Sequence, residues 1–123
     1  MKYIHTDRAP KAVGPYSQTI EANGLIFCSG QIGINPETGT LVEGIEFQTN
    51  QVLENLKAVL EAAGSSLNKT VKTTVFITNM EDYGAMNKVY SSFFAENKPA
   101  RSTIQVVKLP KDALIEIEAI AIK

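Results

Sequence analysis

The stretch Leu114-Ile115-Glu116-Ile117-Glu118-Ala119-Ile120-Ala121-Ile122 decides the fold. Successive residues of a strand face opposite sides of a sheet. On that reading both sides of this run are apolar, interrupted only by Glu116 and Glu118 on one of them. A strand apolar on both sides belongs in the middle of a covered sheet. Upstream, Arg101 to Val107 alternates and reads as a second strand, with Arg101, Thr103, Gln105 and Val107 on one side. Val71 to Ile77 is rich in β-branched residues and reads as a third.

Helices fill the intervals. From Ile45 to Ala63, the residues Val52, Leu53, Leu56, Val59, Leu60 and Ala63 recur at steps of three and four and form one apolar stripe. Gly64 suits the left-handed position just past the helix end. Asn79 is placed to cap a second helix running to about Glu96, with Tyr83, Met86, Tyr90, Phe93 and Phe94 on its inner face. Pro99 blocks its continuation. Toward the N-terminus, Ser17 to Ala22 and Leu25 to Gly30 flank Asn23-Gly24, a strong signal for a tight hairpin. Asn35-Pro36-Glu37-Thr38-Gly39 reads as a surface turn. The predicted order is β-hairpin, α, β, α, β, β: one α+β domain over residues 1–123, without repeat or linker.

Two amphipathic helices cover one face of a sheet, yet the last strand asks for cover on both. Another subunit is the simplest source of the second layer.

Composition narrows the chemistry. The chain has 123 residues, 44% of them hydrophobic and 20% charged, values typical of a globular domain. A net charge of −1 provides no bulk attraction for nucleic acid or anionic lipid. The N-terminus lacks the apolar core of a signal peptide, and no apolar run approaches the ~20 residues of a membrane span. Cys28 is the single cysteine, so no intrachain disulfide forms and a cytoplasmic setting is expected. A catalytic zinc wants about three protein ligands. Only His5 and Cys28 are on offer, and no Asp-x-Asp cluster suggests magnesium. Neither a metal nor a cofactor is expected, and no Gly-rich phosphate loop is present.

Glu116 and Glu118 are the anomalies, because an unpaired buried carboxylate is costly. Either they lie near a strand end or pair with a lysine, or one is an acid-base group whose pKa its apolar surroundings raise. Arg101 opens its strand and is either solvated or a bidentate grip for a carboxylate. Gly14-Pro15-Tyr16-Ser17-Gln18 and Ser29-Gly30-Gln31 flank the hairpin; their glycines serve turns or close packing, or their hydroxyls line a pocket. Ser29 has no base beside it in sequence and is a poor nucleophile candidate. Asn87, beside the apolar stripe, either satisfies a buried backbone group or points into a cleft. Cys28 reads as a small core residue and His5 as an exposed terminal side chain, so no Ser-His-Asp triad is expected.

Taken in order, Gly14-Pro15-Tyr16-Ser17-Gln18, Ser29-Gly30-Gln31-Ile32, Asn35-Pro36, Val71-Lys72-Thr73-Thr74-Val75-Phe76, Pro99-Ala100-Arg101-Ser102, Leu109-Pro110-Lys111-Asp112 and Ile115-Glu116-Ile117-Glu118-Ala119 resemble the reactive intermediate deaminase A family, also called the YjgF family. The likeness runs over essentially the whole chain. It implies a chorismate mutase-like sheet with two helices on one face, a homotrimer with pockets between subunits, and a last strand inserted between the first core strand and Val71 to Ile77. It also implies that Arg101 binds a substrate carboxylate, that Glu116 positions or activates water, and that Tyr16, Ser29, Asn87 and Thr103 shape the pocket. The implied reaction is hydrolysis of 2-aminoacrylate and related enamines and imines to 2-oxo acids and ammonia. Three positions depart from the family pattern: Thr103 where cysteine is common, Gln105 where glutamate is common, and Gly33 where proline is. The competing expectation is a non-enzymatic trimer that binds a small carboxylate and acts as a regulatory or chaperone-like partner.

Overall fold

The structure, a computed structural model, describes residues 1–123. Its elements are β1 (Lys2–Ile4), β2 (Thr19–Ala22), β3 (Leu25–Ile32), α1 (Ile45–Ala62), β4 (Thr70–Ile77), α2 (Tyr83–Phe93), β5 (Ala100–Gln105) and β6 (Ile115–Ile122). They form one six-stranded sheet in the order β1-β2-β3-β6-β4-β5. The two-sided strand lies inside that sheet, antiparallel to both β3 and β4. Only β4 and β5 pair in parallel; a parallel pair needs a crossover connection, and α2 supplies it.

Local signals hold where the expectation was local. Asn23 and Gly24 take φ of 52° and 75°, the two positive values a type I′ hairpin needs. Gly64 ends α1 at φ 81°, and Ser65 N donates to Leu60 O at 2.9 Å in the helix-ending pattern. The second helix is shorter than the sequence suggests. Asn79 caps a 3-10 turn, Met80–Asp82, its side chain accepting from Glu81 N at 3.0 Å, and α2 starts only at Tyr83. It stops at Phe93 rather than near Glu96, because Phe94 leaves the helical region and turns its ring into the core. Strand β1 is an addition, laid on β2 with Tyr3 opposite Ile20.

β6 shows how the layers divide. Ile115, Ile117, Ala119 and Ala121 are 4% exposed or less and pack in one core with Val52, Leu53, Leu56, Val59 and Leu60 of α1. Their alternates, Glu116, Glu118, Ile120 and Ile122, face away. Across that second face the strand register aligns Tyr3, Ile20, Phe27, Ile120, Lys72 and Ala100 in one row. No element of the chain covers it: Tyr3 is 67% exposed, Ile122 50% and Phe27 41%.

Buried polar residues on α1 anchor it to the sheet. Asn55 Nδ2 donates to Ile32 O and Ile34 O at 3.2 and 3.0 Å, and Gln48 Oε1 accepts from Leu114 N at 2.8 Å. α1 approaches the backbone at Gly33 closely: a side chain there would put its Cβ 2.9 Å from Gln48 Cα, so a residue other than glycine needs a local shift of the helix. These contacts fix the end of β3 and the start of β6, where the candidate acid lies.

Candidate active site

The positive half of the site is built from β5 and α2. Tyr83, Asn87 and Tyr90 follow one another by four and three residues, so they share one side of α2. Arg101 lies against that side. Its Nη1 donates to Asn87 Oδ1 at 2.7 Å and its Nη2 to Tyr83 Oη at 2.8 Å. Cζ stands 4.7 Å from the centre of the Tyr90 ring and 5.6 Å from that of Tyr83, within the range of cation–π attraction. The Tyr90 hydroxyl is held in turn by Thr73 Oγ1 at 2.7 Å. Burial raises its pKa, outweighing the opposing Thr73 hydrogen bond and Arg101 charge, so the phenol beneath the cation stays neutral.

No carboxylate pairs with Arg101. A guanidinium carries five N–H donors, and two are engaged here. The rest belong to a fixed cation without a counter-charge, which is what a receptor for a carboxylate requires. Two residues along the same side of β5, Thr103 Oγ1 is buried without a hydrogen-bond partner. A buried hydroxyl in that state is suited to a ligand atom.

The acidic half lies elsewhere. Glu116 sits on the uncovered face of β6, half-buried, opposite Phe76 of β4 and Ile32 of β3. Strand β3 bulges between Cys28 and Gln31, and the carboxyl group occupies the space that a side chain on Gly30 would fill, with Oε2 2.3 Å from where that Cβ would stand. Burial, and then the charge of Glu118, raises the Glu116 pKa. It forms no salt bridge, so the lysine-pairing explanation does not apply.

Ser29 and Tyr16 line a hollow of about 630 Å³ on this same face, with Phe27, Lys72, Glu118 and Ile120. Ser29 Oγ donates to Ser17 O at 2.6 Å, which commits its proton to the backbone. Tyr16 Oη accepts from Val13 N at 3.4 Å across the turn that Gly14 makes at φ 128°.

The predicted residues therefore fall into two groups. Arg101, Asn87 and Thr103 gather at the β5 edge on the helical side; Glu116, Ser29 and Tyr16 belong to the open face. Register makes the division plain: Arg101 aligns with Thr73 and the buried Ala119, whereas Glu116 aligns with Phe76. A single chain does not bring the guanidinium and the acid together. The sequence places Tyr83 and Tyr90 only on the helix's inner face, and the four-three spacing through Asn87 is the available clue to their role. Gly30 as the seat of Glu116 had no sequence signal beyond its being glycine.

Other reactive groups lie apart. Burial raises the Cys28 thiol to about 11, against a smaller lowering by Thr19. His5 Nε2 lies 3.0 Å from Asp7 Oδ1 in an exposed pair. No three His, Cys, Asp or Glu side chains cluster as metal ligands would, and no helix is long and apolar enough to cross a membrane.

An α+β sheet layered with helices on one side only, with an arginine lacking a carboxylate partner at its edge and a lone acid on its bare face, describes the class of fold and site. Comparison with known proteins places it further: the family described as endoribonuclease L-PSP matches residues 6–123, and the chain belongs to that family, which includes the reactive intermediate deaminase A and YjgF proteins. A RutC family protein of Pyrococcus horikoshii is 57% identical over 121 residues, covering 98% of this chain and 96% of the relative. The 2-iminobutanoate/2-iminopropanoate deaminase of Salmonella typhimurium is 46% identical, covering 99% and 98%. The crystal structure of Escherichia coli TdcF with bound serine superposes with a TM-score of 0.97 at 45% identity, covering 100% and 99%.

Proposed function

We propose that this protein hydrolyses 2-aminoacrylate and related 2-imino acids to 2-oxo acids and ammonia. We assign it to the cytoplasm, acting as a homotrimer without metal or organic cofactor. The observation that carries this reading is Arg101: a partly buried cation, gripped by Asn87 and Tyr83 and backed by Tyr90, with no carboxylate of its own. The deaminase name of the Salmonella relative and the amino acid bound to TdcF support a small carboxylate as its ligand. The bare apolar sheet face supports assembly. Because the two halves lie on opposite sides of one sheet, the site we propose joins Arg101, Asn87 and Thr103 of one protomer to Glu116, Ser29 and Tyr16 of the next.

The chemistry suits such sparse equipment. The enamine moves a proton to its terminal carbon and becomes the imine, whose C2 is electrophilic once its nitrogen is protonated. Arg101 holds the carboxylate and sets the orientation, which is the entropic part of the acceleration. Water attacks C2 while the Glu116 carboxylate takes its proton. The resulting carbinolamine receives that proton on nitrogen, and as the C–N bond breaks and ammonia leaves, its hydroxyl proton passes to the freed Glu116 carboxylate and on to solvent, so that the 2-oxo acid remains. A raised pKa suits Glu116 to both directions of transfer. Apart from Arg101, the side chains that could cleave RNA are poorly arranged: the one imidazole is paired with Asp7 at the surface.

A coupled assay tests the reading. 2-Aminoacrylate is generated from serine by a dehydratase, and pyruvate release is followed with and without this protein. Acceleration in proportion to added protein is expected, unchanged by EDTA. No acceleration would overturn the enzymatic reading and leave the carboxylate-binding regulatory trimer.

A further inference from the structure

Arg101 is held by more than the amide that the sequence singles out. One hydrogen bond, from Nη1 to Asn87, leaves a guanidinium free to pivot about that contact. The second, from Nη2 to the Tyr83 hydroxyl at 2.8 Å, removes the pivot. Tyr83 makes the contact from the first turn of α2, where it is 38% exposed rather than packed in the core. An aromatic residue there has no burial to account for its hydroxyl; the oxygen's partner is Arg101. The Tyr90 ring, its centre 4.7 Å from Cζ, backs the group. The two hydrogen bonds determine which N–H groups remain for a ligand.

We propose that Tyr83 is a positioning residue for Arg101: its hydroxyl locks the guanidinium in rotation, so that the unused N–H donors meet a ligand carboxylate already aligned. This rests on the reading of Arg101 as a carboxylate anchor. Pre-aligned donors avoid an ordering cost on binding. Tyr83 lowers only the cost of ordering the guanidinium before binding; once the carboxylate is seated, Arg101 and Asn87 set the same orientation, so the effect belongs in KM and in product affinity, with kcat little altered.

The test is Tyr83→Phe, which keeps the ring and removes one oxygen. Nitrogen-15 spectra of the Arg101 side chain report rotation about its Cζ–N bonds, independently of any activity. Slow, resolved Nη signals are expected in the unaltered protein, and faster, averaged ones in the variant. The Kd for pyruvate and the KM should both rise roughly three- to tenfold, the size of one side chain's ordering cost, with kcat within about twofold. In an Arg101→Met background the same change should leave pyruvate affinity where it is. Unchanged Arg101 signals and unchanged pyruvate affinity in Tyr83→Phe would overturn the inference, as would a full-sized effect in the Arg101→Met background. If Arg101→Met alone binds pyruvate as the unaltered protein does, the anchor reading falls instead, and the side-chain spectra still decide whether Tyr83 holds the guanidinium.

Discussion

One methyl group at Gly30 is expected to misplace the candidate acid while leaving the fold standing. An ideal Cβ on Gly30 would lie 2.3 Å from Glu116 Oε2, 2.8 Å from Cδ and 3.0 Å from Cγ. Ordinary contact begins near 3.4 Å, so the carboxyl group must retreat by about 1 Å to restore normal van der Waals separation. What yields is the end of a flexible side chain rather than backbone, and Gly30 does not occupy the left-handed region that would itself resist alanine. Swinging Glu116 toward the open face costs about 0.5–1.5 kcal/mol in rotamer strain. Catalysis should suffer far more, since a misplacement of about 1 Å is worth roughly a hundredfold in rate. The coupled pyruvate assay gives kcat, and a pyruvate titration checks that the Arg101 side is intact. Gly30→Ala should therefore bind pyruvate normally, retain its melting temperature within about 5 °C, and turn over about one hundred times more slowly. A folded Gly30→Ala protein with undiminished kcat would refute the seating argument, and with it the role given to Glu116.

Arg101→Ala removes the charged partner of the carboxylate, worth about 2–5 kcal/mol, so kcat/KM should fall by roughly one and a half to three and a half decades; near-normal deamination by the folded variant would eliminate the anchor. Burial, and then the charge of Glu118 on the same face, raises the Glu116 pKa, and a base must be ionised to act, so activity is lost as pH falls through that raised value. Glu118→Gln lowers it, and the acid limb of the kcat/KM profile should move to lower pH; an unmoved limb would assign the limb to another group. Glu116's raised pKa also means that its protonated form favours the fold at low pH and that this contribution fades as pH rises through the folded-state value, so the same variant should be more stable at neutral pH. Cys28, with its thiol near 11 and buried, should resist alkylation at pH 8 until the protein is unfolded, as protein denaturation with and without iodoacetamide would reveal.

What the sequence makes legible is what short-range chemistry dictates. The two-sided apolar run from Leu114 to Ile122 points to an interior strand, because its alternation needs only one neighbour on each face. Asn23-Gly24 and Gly64 announce positive φ directly, since few other residues accept it. The strand order follows from the resemblance rather than from periodicity; the short link from β5 to β6 invites the wrong neighbour. β1 escapes notice because three residues carry no period, and Tyr3 finds its place only against Ile20. In the site, Glu116 and Arg101 stand out as charges in apolar company, but which side of the sheet each occupies depends on register with β4, a long-range fact. Gly30 matters through the space it leaves, and space is not written in a residue's own pattern. Tyr83 is misassigned to the core for a related reason: the 3-10 turn at Met80–Asp82 shifts the helix start and leaves its ring at the rim.

Mixed assemblies test the account most directly. Arg101→Ala and Glu116→Gln proteins, each nearly inactive alone, are unfolded together and reassembled in equal amounts. If every site draws its arginine from one protomer and its acid from the next around a closed ring, a random mixture restores both groups at about one site in four. Activity near a quarter of the unaltered protein's is the predicted result. Mixed trimers, verified by mass, that remain as inactive as their parents would contradict it.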